Sequence, residues 1–180
     1  ERAHRRQEIG YVDMVVDTLE EAMTLVDEAR QQLIPRSIGL IGNAADIYPE
    51  LAIRGVIPDV VTDQTPAHDV QMYIPAGLNI SQAEALRTSD PREYERRALH
   101  SMARHVEAML EFKRRGSEVF DYGNNLRQRA YDYGVKDAGA VFVFHGSEAG
   151  LGAECDWYVS GATENAYFGM SVDAAGDLNR

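Results

Sequence analysis

The sequence predicts an α/β protein with a parallel sheet flanked by helices. Strand-like and helix-like segments alternate along most of the chain, an order typical of parallel strands joined by helical crossovers. The clearest unit runs from a strand at Ser37–Ile41, through a helix at about Asp46–Arg54, to a strand at Val60–Thr62. Gly55 stands where helices commonly end in the left-handed conformation. The first strand is continuously apolar, which indicates burial on both faces.

Length and charge limit the number of domains and the kinds of partner that the chain is expected to have. The chain has 180 residues and a formal net charge of −11, so we expect one domain over residues 1–180. Nucleic acid and membranes are not expected partners, because nucleic acid and anionic lipid are bound through clustered Lys and Arg and no apolar run approaches membrane-spanning length. The single Cys155 excludes an intramolecular disulfide and suits a reducing compartment.

Ahead of the central unit, the sequence predicts a solvated, charged opening segment and then one helix. That helix runs to Gln32, with Asp17 or Thr18 as its cap and Glu20 or Glu21 as the reciprocal partner in a capping box. An apolar stripe at helical spacing is expected to pack on the sheet. The stripe contains Leu19, Ala22, Met23, Val26 and Ala29.

Beyond the central unit, two helices are predicted before the next strand. Ser81 is expected to start a short helix that ends near Arg87. Asp90 and Pro91 are typical first residues of a helix, and a long helix is expected to run from there to Arg115. Its buried side is predicted to contain Ala98, Met102, His105, Val106, Met109 and Leu110.

The remaining elements have less regular sequence patterns. Val119–Phe120 is predicted as a strand, followed by a helix to about Tyr133, which one of the two preceding asparagines is expected to cap. A further strand is predicted at Ala140–Phe144. The glycine-rich tail beyond it is predicted to be loop-rich, with a strand or helix around Trp157–Ser160.

Three polar loops follow predicted parallel strands, at Gly42–Ala45, Gln64–His68 and Asp121–Asn125. Because the carboxyl ends of parallel strands meet at the same edge of a sheet, we expect these loops to lie together and to bind a ligand. Small residues, amides, hydroxyls and one imidazole suit a polar ligand that carries phosphate. Each loop taken alone is equally explained as an ordinary turn.

Other chemical motifs are weak. The dinucleotide fingerprint G-x-G-x-x-G is absent, and its nearest counterpart, His145–Gly152, is interpreted as a plain glycine-rich loop. No metal site is predicted, because His100 and His105 lie roughly 140° apart around their helix, and His105 is expected in the core. Cys155 has no activating partner in the pattern and is interpreted as an incidental thiol.

Read in order, the loops resemble the urocanase (urocanate hydratase) family. The resemblance covers roughly Arg2–Val135 and depends on the combination of G-N-A-A, D-Q-T-P-A-H-D and F-D-Y-G-N-N. The matching segments are Gly10–Asp13, Ser37–Asp46, Pro49–Asp69, Tyr73–Gly77, Ser101–Leu110 and Phe120–Arg127.

The resemblance implies a Rossmann-like NAD-binding domain inserted in a larger catalytic fold. Urocanases are cytoplasmic homodimers that add water to urocanate, a small molecule, and give imidazolonepropionate in histidine breakdown. They hold NAD⁺ tightly and use it as an electrophile rather than as a hydride carrier. The family's glycine-rich phosphate loop and acidic ribose-binding strand precede the matching segment, so we expect this chain to be a piece of a longer protein.

Position by position, the resemblance implies a set of NAD contacts. Pro66 stands where the family usually has Ser, and the loop between Asp69 and Tyr73 is one residue shorter than usual. The family's active-site cysteine lies downstream of the matching region, so Cys155 is not given that role and the catalytic residues are unassigned. The implied contacts are Arg2, Asn43, Ala44, Gln64, Thr65, Pro66, Ala67, His68, Tyr73, Ile74 and Tyr122.

Two alternatives stay open alongside the hydratase. The chain is either a module that binds a dinucleotide without catalysis, or an interaction module whose cofactor site is empty. The tail after Val135 does not match the family's usual continuation, which fits a divergent subfamily acting on a modified urocanate.

Overall fold

A computed structural model describes residues 2–121, 123–136, 140–143, 146–147, 150–151 and 157–160. The chain folds as two compact units, residues 1–47 and residues 48–180. The single domain over residues 1–180 stays a prediction. Two compact units can belong to one domain or form two separate domains, so this division does not decide between them.

The first unit contains a parallel two-stranded sheet. Its elements are α1 (Arg2–Glu8), β1 (Met14–Val16), α2 (Leu19–Gln32) and β2 (Ile38–Leu40). Strands β1 and β2 pair in parallel, with Met14 opposite Ile38, and α2 is the crossover between them. Strand β1 was not predicted, because three residues are too few to show a strand pattern.

Helix α2 begins and ends as its local sequence predicts. The Thr18 hydroxyl accepts the backbone N–H of Glu21 at 3.2 Å, and the Glu21 carboxylate accepts the backbone N–H of Thr18 at 3.3 Å. This reciprocal pair is the predicted capping box. Leu19 and Ala22 of the apolar stripe are buried, so the stripe faces the core. The helix ends at Leu33, which adopts the left-handed conformation at φ +55°.

Strand β2 is half-buried along its length, so the prediction that both of its faces are buried is wrong. Within the described residues β2 pairs with β1 alone, and a two-stranded sheet leaves an edge and part of a face accessible. Helix α3 (Ala44–Ile53) follows, and the division between the two units falls within it. Gly55 ends the helix at φ +73°, as predicted.

The second unit contains a parallel pair of strands and a long central helix. Its first elements are β3 (Val60–Asp63), α4 (Ile80–Ser89), α5 (Pro91–Arg114), β4 (Glu118–Asp121) and α6 (Leu126–Asp132), with a 3₁₀ turn at Val70–Met72. Strands β3 and β4 pair in parallel, with Val60 opposite Glu118 and Asp63 opposite Asp121. The predicted class, α/β with a parallel sheet flanked by helices, is therefore confirmed.

Helix α5 supplies most of the core of the second unit. Tyr94, Met102, His105 and Phe112 are among the largest fully buried side chains. The predicted buried side is correct except at Leu110, which is half-buried. The start of α5 is also confirmed: Asp90 accepts the backbone N–H of Glu93 at 3.0 Å, and Pro91 occupies the first turn.

Two other helix starts correct or refine the sequence analysis. Helix α4 is capped by Asn79 and not by Ser81, because Asn79 forms a complete capping box with Gln82. Asn125 precedes α6 in the left-handed conformation and makes no capping bond through its side chain. The neighbouring Asn124 instead accepts the backbone N–H of Leu126 at 3.2 Å.

The tail corrects the expectation of a purely parallel sheet. Strand β5 (Ala140–Val143) pairs antiparallel with β8 (Trp157–Ser160), and β6 (Gly146–Ser147) pairs antiparallel with β7 (Gly150–Leu151). The link between β6 and β7 is too short for the crossover that parallel strands need. A strand at Trp157–Ser160 is confirmed. His145 and Cys155 lie outside the described residues.

No helix in the described part of the chain is long and apolar enough to cross a membrane.

The capping box of α2 is testable by substitution. Thr18→Ala removes the hydroxyl that accepts the Glu21 amide, so the free energy of unfolding should fall by about 1 kcal/mol. Thr24→Ala, on the exposed middle of the same helix, is the matched control and should change stability by less than about 0.5 kcal/mol. Urea denaturation followed by circular dichroism measures both, and equal losses would contradict the capping assignment.

Candidate functional site

Two buried aspartates mark the carboxyl ends of β3 and β4. Asp63 and Asp121 are register partners, and the side chain of each is 2–3% exposed. Each carboxylate accepts the backbone N–H two residues further on, from Thr65 at 3.0 Å and from Gly123 at 3.1 Å. Both strands therefore end in the same kind of Asx turn, which directs the chain into a polar loop.

The Asp63 carboxylate joins the two loops. Besides the Thr65 amide, it accepts the Thr65 hydroxyl at 3.0 Å and the side-chain amide of Asn124 at 2.5 Å. The same Asn124 amide donates to the Thr65 carbonyl at 2.7 Å. The Gln64–His68 and Asp121–Asn125 loops are thus in direct contact, as their positions after neighbouring parallel strands predict.

The Asp121 carboxylate has a different partner. It forms an ion pair with Arg127 of α6 at 2.5 Å, and the arginine side chain remains 35% exposed. One strand end therefore holds an aspartate among neutral donors, whereas the other holds an aspartate neutralised by a cation.

His105 lies behind Asp63 and is fully buried. Its Nδ1 is 3.0 Å from the hydroxyl of Tyr73, and its Nε2 is 3.9 Å from an oxygen of Asp63, which is too long for a hydrogen bond. Nε2 has no hydrogen-bond partner in the described part of the chain. The ring of Tyr48 meets the imidazole edge-on, with centroids 4.8 Å apart. The prediction that His105 packs in the core is confirmed.

Burial governs the ionisation of this pair of rings. It lowers the pKa of His105, and the nearby Asp63 carboxylate opposes that shift without reversing it. Burial also raises the pKa of Tyr48, and Asp63 adds to the increase. Both groups are therefore held neutral at physiological pH.

The Gln64–His68 loop has anchored and exposed members. Gln64 and His68 are exposed, whereas Ala67 is fully buried. The Ala67 amide donates to the Thr65 carbonyl at 2.8 Å, which tightens the turn. The loop therefore presents an amide and an imidazole to solvent, while Thr65 and Ala67 attach it to the protein.

The other predicted contacts lie in different surroundings. Tyr73 is buried, with its hydroxyl against His105, so its ring belongs to the core, and Ile74 is half-buried. Asn43 and Ala44 belong to the first unit, where the Asn43 side chain accepts the Ala45 amide at 2.9 Å. The meeting of this loop with the other two stays a prediction. The side chain of Arg2 and the whole of Tyr122 lie outside the described residues.

Asp63 and Asn124 are not among the individual contact residues predicted from the sequence. Asp63 had a local signal, since an aspartate that directly follows an apolar strand and stands two residues before Thr65 is typical of an Asx turn. Asn124 was included in the predicted Asp121–Asn125 binding loop and considered as a helix cap, without a contact of its own. Within the described residues, no three His, Cys, Asp or Glu side chains are grouped to hold a metal ion.

A family model described as the urocanase Rossmann-like domain matches residues 1–147. The chain belongs to the urocanase family. The urocanase match includes all three polar loops, and it confirms the resemblance that those loops predicted. It also agrees with the parallel strands and flanking helices of the structure, which are those of a Rossmann-like α/β fold. The urocanase family implies a hydro-lyase as the parent enzyme.

The depressed pKa of His105 has a consequence for stability. The unfolded chain takes up a proton on this residue near pH 6.5, whereas the folded chain resists it. Stability should therefore be fully present above about pH 6.5 and fall as the pH drops below it. His105→Asn should flatten that fall, as measured by urea denaturation at several pH values.

The exposed His4 offers a matched control for this pH dependence. His4→Asn should leave the fall in stability as it is in the unmodified chain. An unchanged slope in His105→Asn would show that another group is responsible.

Proposed function

We propose that this chain binds NAD⁺ and is the NAD-binding part of a urocanate hydratase, which adds water to urocanate or a modified urocanate to give imidazolonepropionate. The observation that supports the proposal is the Gln64–His68 loop, held at the end of β3 in a chain of the urocanase family. Histidine breakdown, a cytoplasmic location and a homodimer are the corresponding expectations for the parent protein.

The described residues of the loop suit a dinucleotide. Gln64 and His68 are exposed and offer an amide and an imidazole, groups that bind ribose hydroxyls and phosphate oxygens. Thr65 is fixed by Asp63 and Asn124, so the loop needs little ordering when a ligand arrives. Pro66 lacks both the backbone N–H and the side-chain hydroxyl of the family's usual serine, so this loop offers two donors fewer.

The first unit contributes a second kind of anion site. Asn43 precedes the ten-residue helix α3, and the dipole of a helix favours phosphate at its start. Because the ring of Tyr73 is buried, we propose that this residue contacts the dinucleotide through its backbone. The full proposed contact set is Arg2, Asn43, Ala44, Gln64, Thr65, Pro66, Ala67, His68, Tyr73, Ile74 and Tyr122.

When bound, NAD⁺ supplies an electrophilic nicotinamide ring to the reaction of this family. The residues of this chain hold and orient the dinucleotide, and the exposed His68 contacts it through its imidazole. No catalytic residue is proposed within the chain.

Calorimetric titration of the chain with NAD⁺ tests the proposal, with urocanate titrated alongside. Replacing the exposed His68 by Ala should weaken NAD⁺ binding by about 1–3 kcal/mol, which is roughly a 5- to 150-fold loss of affinity. His100→Ala is the matched control. It removes another exposed histidine, which lies on α5, and it should leave NAD⁺ affinity unchanged.

The outcomes separate the competing functions. NAD⁺ binding that depends on His68, without urocanate binding, would support a cofactor domain whose chemistry lies elsewhere in the parent. Binding that ignores His68 would contradict the loop assignment. The lack of any NAD⁺ binding would favour an interaction module instead.

A further inference from the structure

We infer that Asp63 and Asn124 are positioning residues, which set the conformation of the Gln64–His68 loop by holding Thr65 from both sides. Neither residue is among the proposed NAD contacts. The inference rests on the proposed function for its link to NAD⁺, whereas the conformational part concerns the chain alone.

All three polar atoms of Thr65 are engaged inside the protein. Its amide and its hydroxyl donate to Asp63, and its carbonyl accepts from Asn124. Because the Thr65 hydroxyl already donates its proton to Asp63, it can only accept a hydrogen bond from a dinucleotide. The main contribution of Thr65 to binding is to fix the exposed residues on either side of it, Gln64 and His68.

The orientation of the Asn124 carboxamide follows from its partners. Its oxygen accepts the Leu126 amide at 3.2 Å, so its nitrogen must face Asp63 and the Thr65 carbonyl. Both of those groups are acceptors, and the position therefore requires a donor. A carboxylate at position 124 would place two anions in contact, which is unfavourable in a buried site.

The described residues that are seen to face Asp63 are uncharged. Behind it are the neutral imidazole of His105 on α5 and the phenol of Tyr48 on α3. On the side of β4 and α6, Arg127 is paired with Asp121 at 2.5 Å. The donors from Thr65 and Asn124 are thus the hydrogen-bond partners that the described residues provide for the Asp63 carboxylate.

This geometry predicts a pH-dependent variant. In Asn124→Asp, lowering the pH should leave the two carboxyl groups sharing one proton, and the protonated group donates as the native amide does. At about pH 8 both groups are charged and repel, which releases Thr65. NAD⁺ affinity, relative to the unmodified chain at the same pH, should be within about threefold at the lower pH and at least about tenfold weaker at the higher.

Asn125→Asp is the matched control. It adds the same charge at the next position, where the native side chain is exposed and makes no capping bond. Its NAD⁺ affinity, relative to that of the unmodified chain at the same pH, should not depend on pH. Equal pH dependence in the two variants would overturn the inference, because it would show a general effect of charge near the site.

Amide hydrogen exchange in the absence of NAD⁺ separates this inference from the proposed function. At about pH 8, Asn124→Asp should speed exchange of the Thr65 amide at least about tenfold over the unmodified chain. Unchanged exchange overturns the inference. Faster exchange with unchanged NAD⁺ affinity also overturns it, because the loop would then not be positioned for binding. Faster exchange in a chain that binds no NAD⁺ supports the positioning role and contradicts the proposed function instead.

Discussion

The parallel pairing of β3 with β4 places Asp63 opposite Asp121, and the candidate site depends on that register. A shift of one residue in either strand would turn that strand's carboxylate to the other face of the sheet. The two Asx turns are local and could still form, but Asn124 would no longer meet the Asp63 carboxylate. Helix α5 connects the two strands and packs the core beneath them, so the register follows from the burial of its apolar side.

The interior tolerates the Asp63 charge because the carboxylate is well supplied with donors. Three hydrogen bonds reach it, from two groups of Thr65 and from Asn124. Burying a charge without such partners is very costly. The same burial keeps His105 neutral. The polar cluster therefore contains one anion, neutral donors and a neutral imidazole, whereas Asp121 relies on the cation of Arg127.

The loop that follows β3 contains both anchored and exposed residues. Thr65 and Ala67 attach it to the protein, and Gln64 and His68 remain exposed. Such a division suits a binding loop, because the exposed groups are held in place before the ligand arrives and lose little freedom on binding. The proposed function therefore gives Asp63 and Asn124, which lie outside the proposed contact set, an indirect part in dinucleotide binding.

The sequence by itself determined the features that depend on near neighbours. The capping box at Thr18 and the Asp90–Pro91 start of α5 are contacts within three residues, and Gly55 ends α3 through its own backbone freedom. The loop motifs likewise led to the urocanase family. The short β1 was missed because three residues show no strand pattern. The cap of α4 was misplaced because Ser81 with Glu84 has the same capping-box spacing as Asn79 with Gln82.

Only the tertiary structure decided which polar groups meet. Asn124 contacts Asp63 across 61 positions, and Tyr73 contacts His105 across 32. No local pattern specifies such partners, because they depend on strand register and on the side chains that α5 buries. The antiparallel pairing of the tail was decided in the same way. Local sequence sets turns and caps, and burial and strand pairing select the contacts between distant residues.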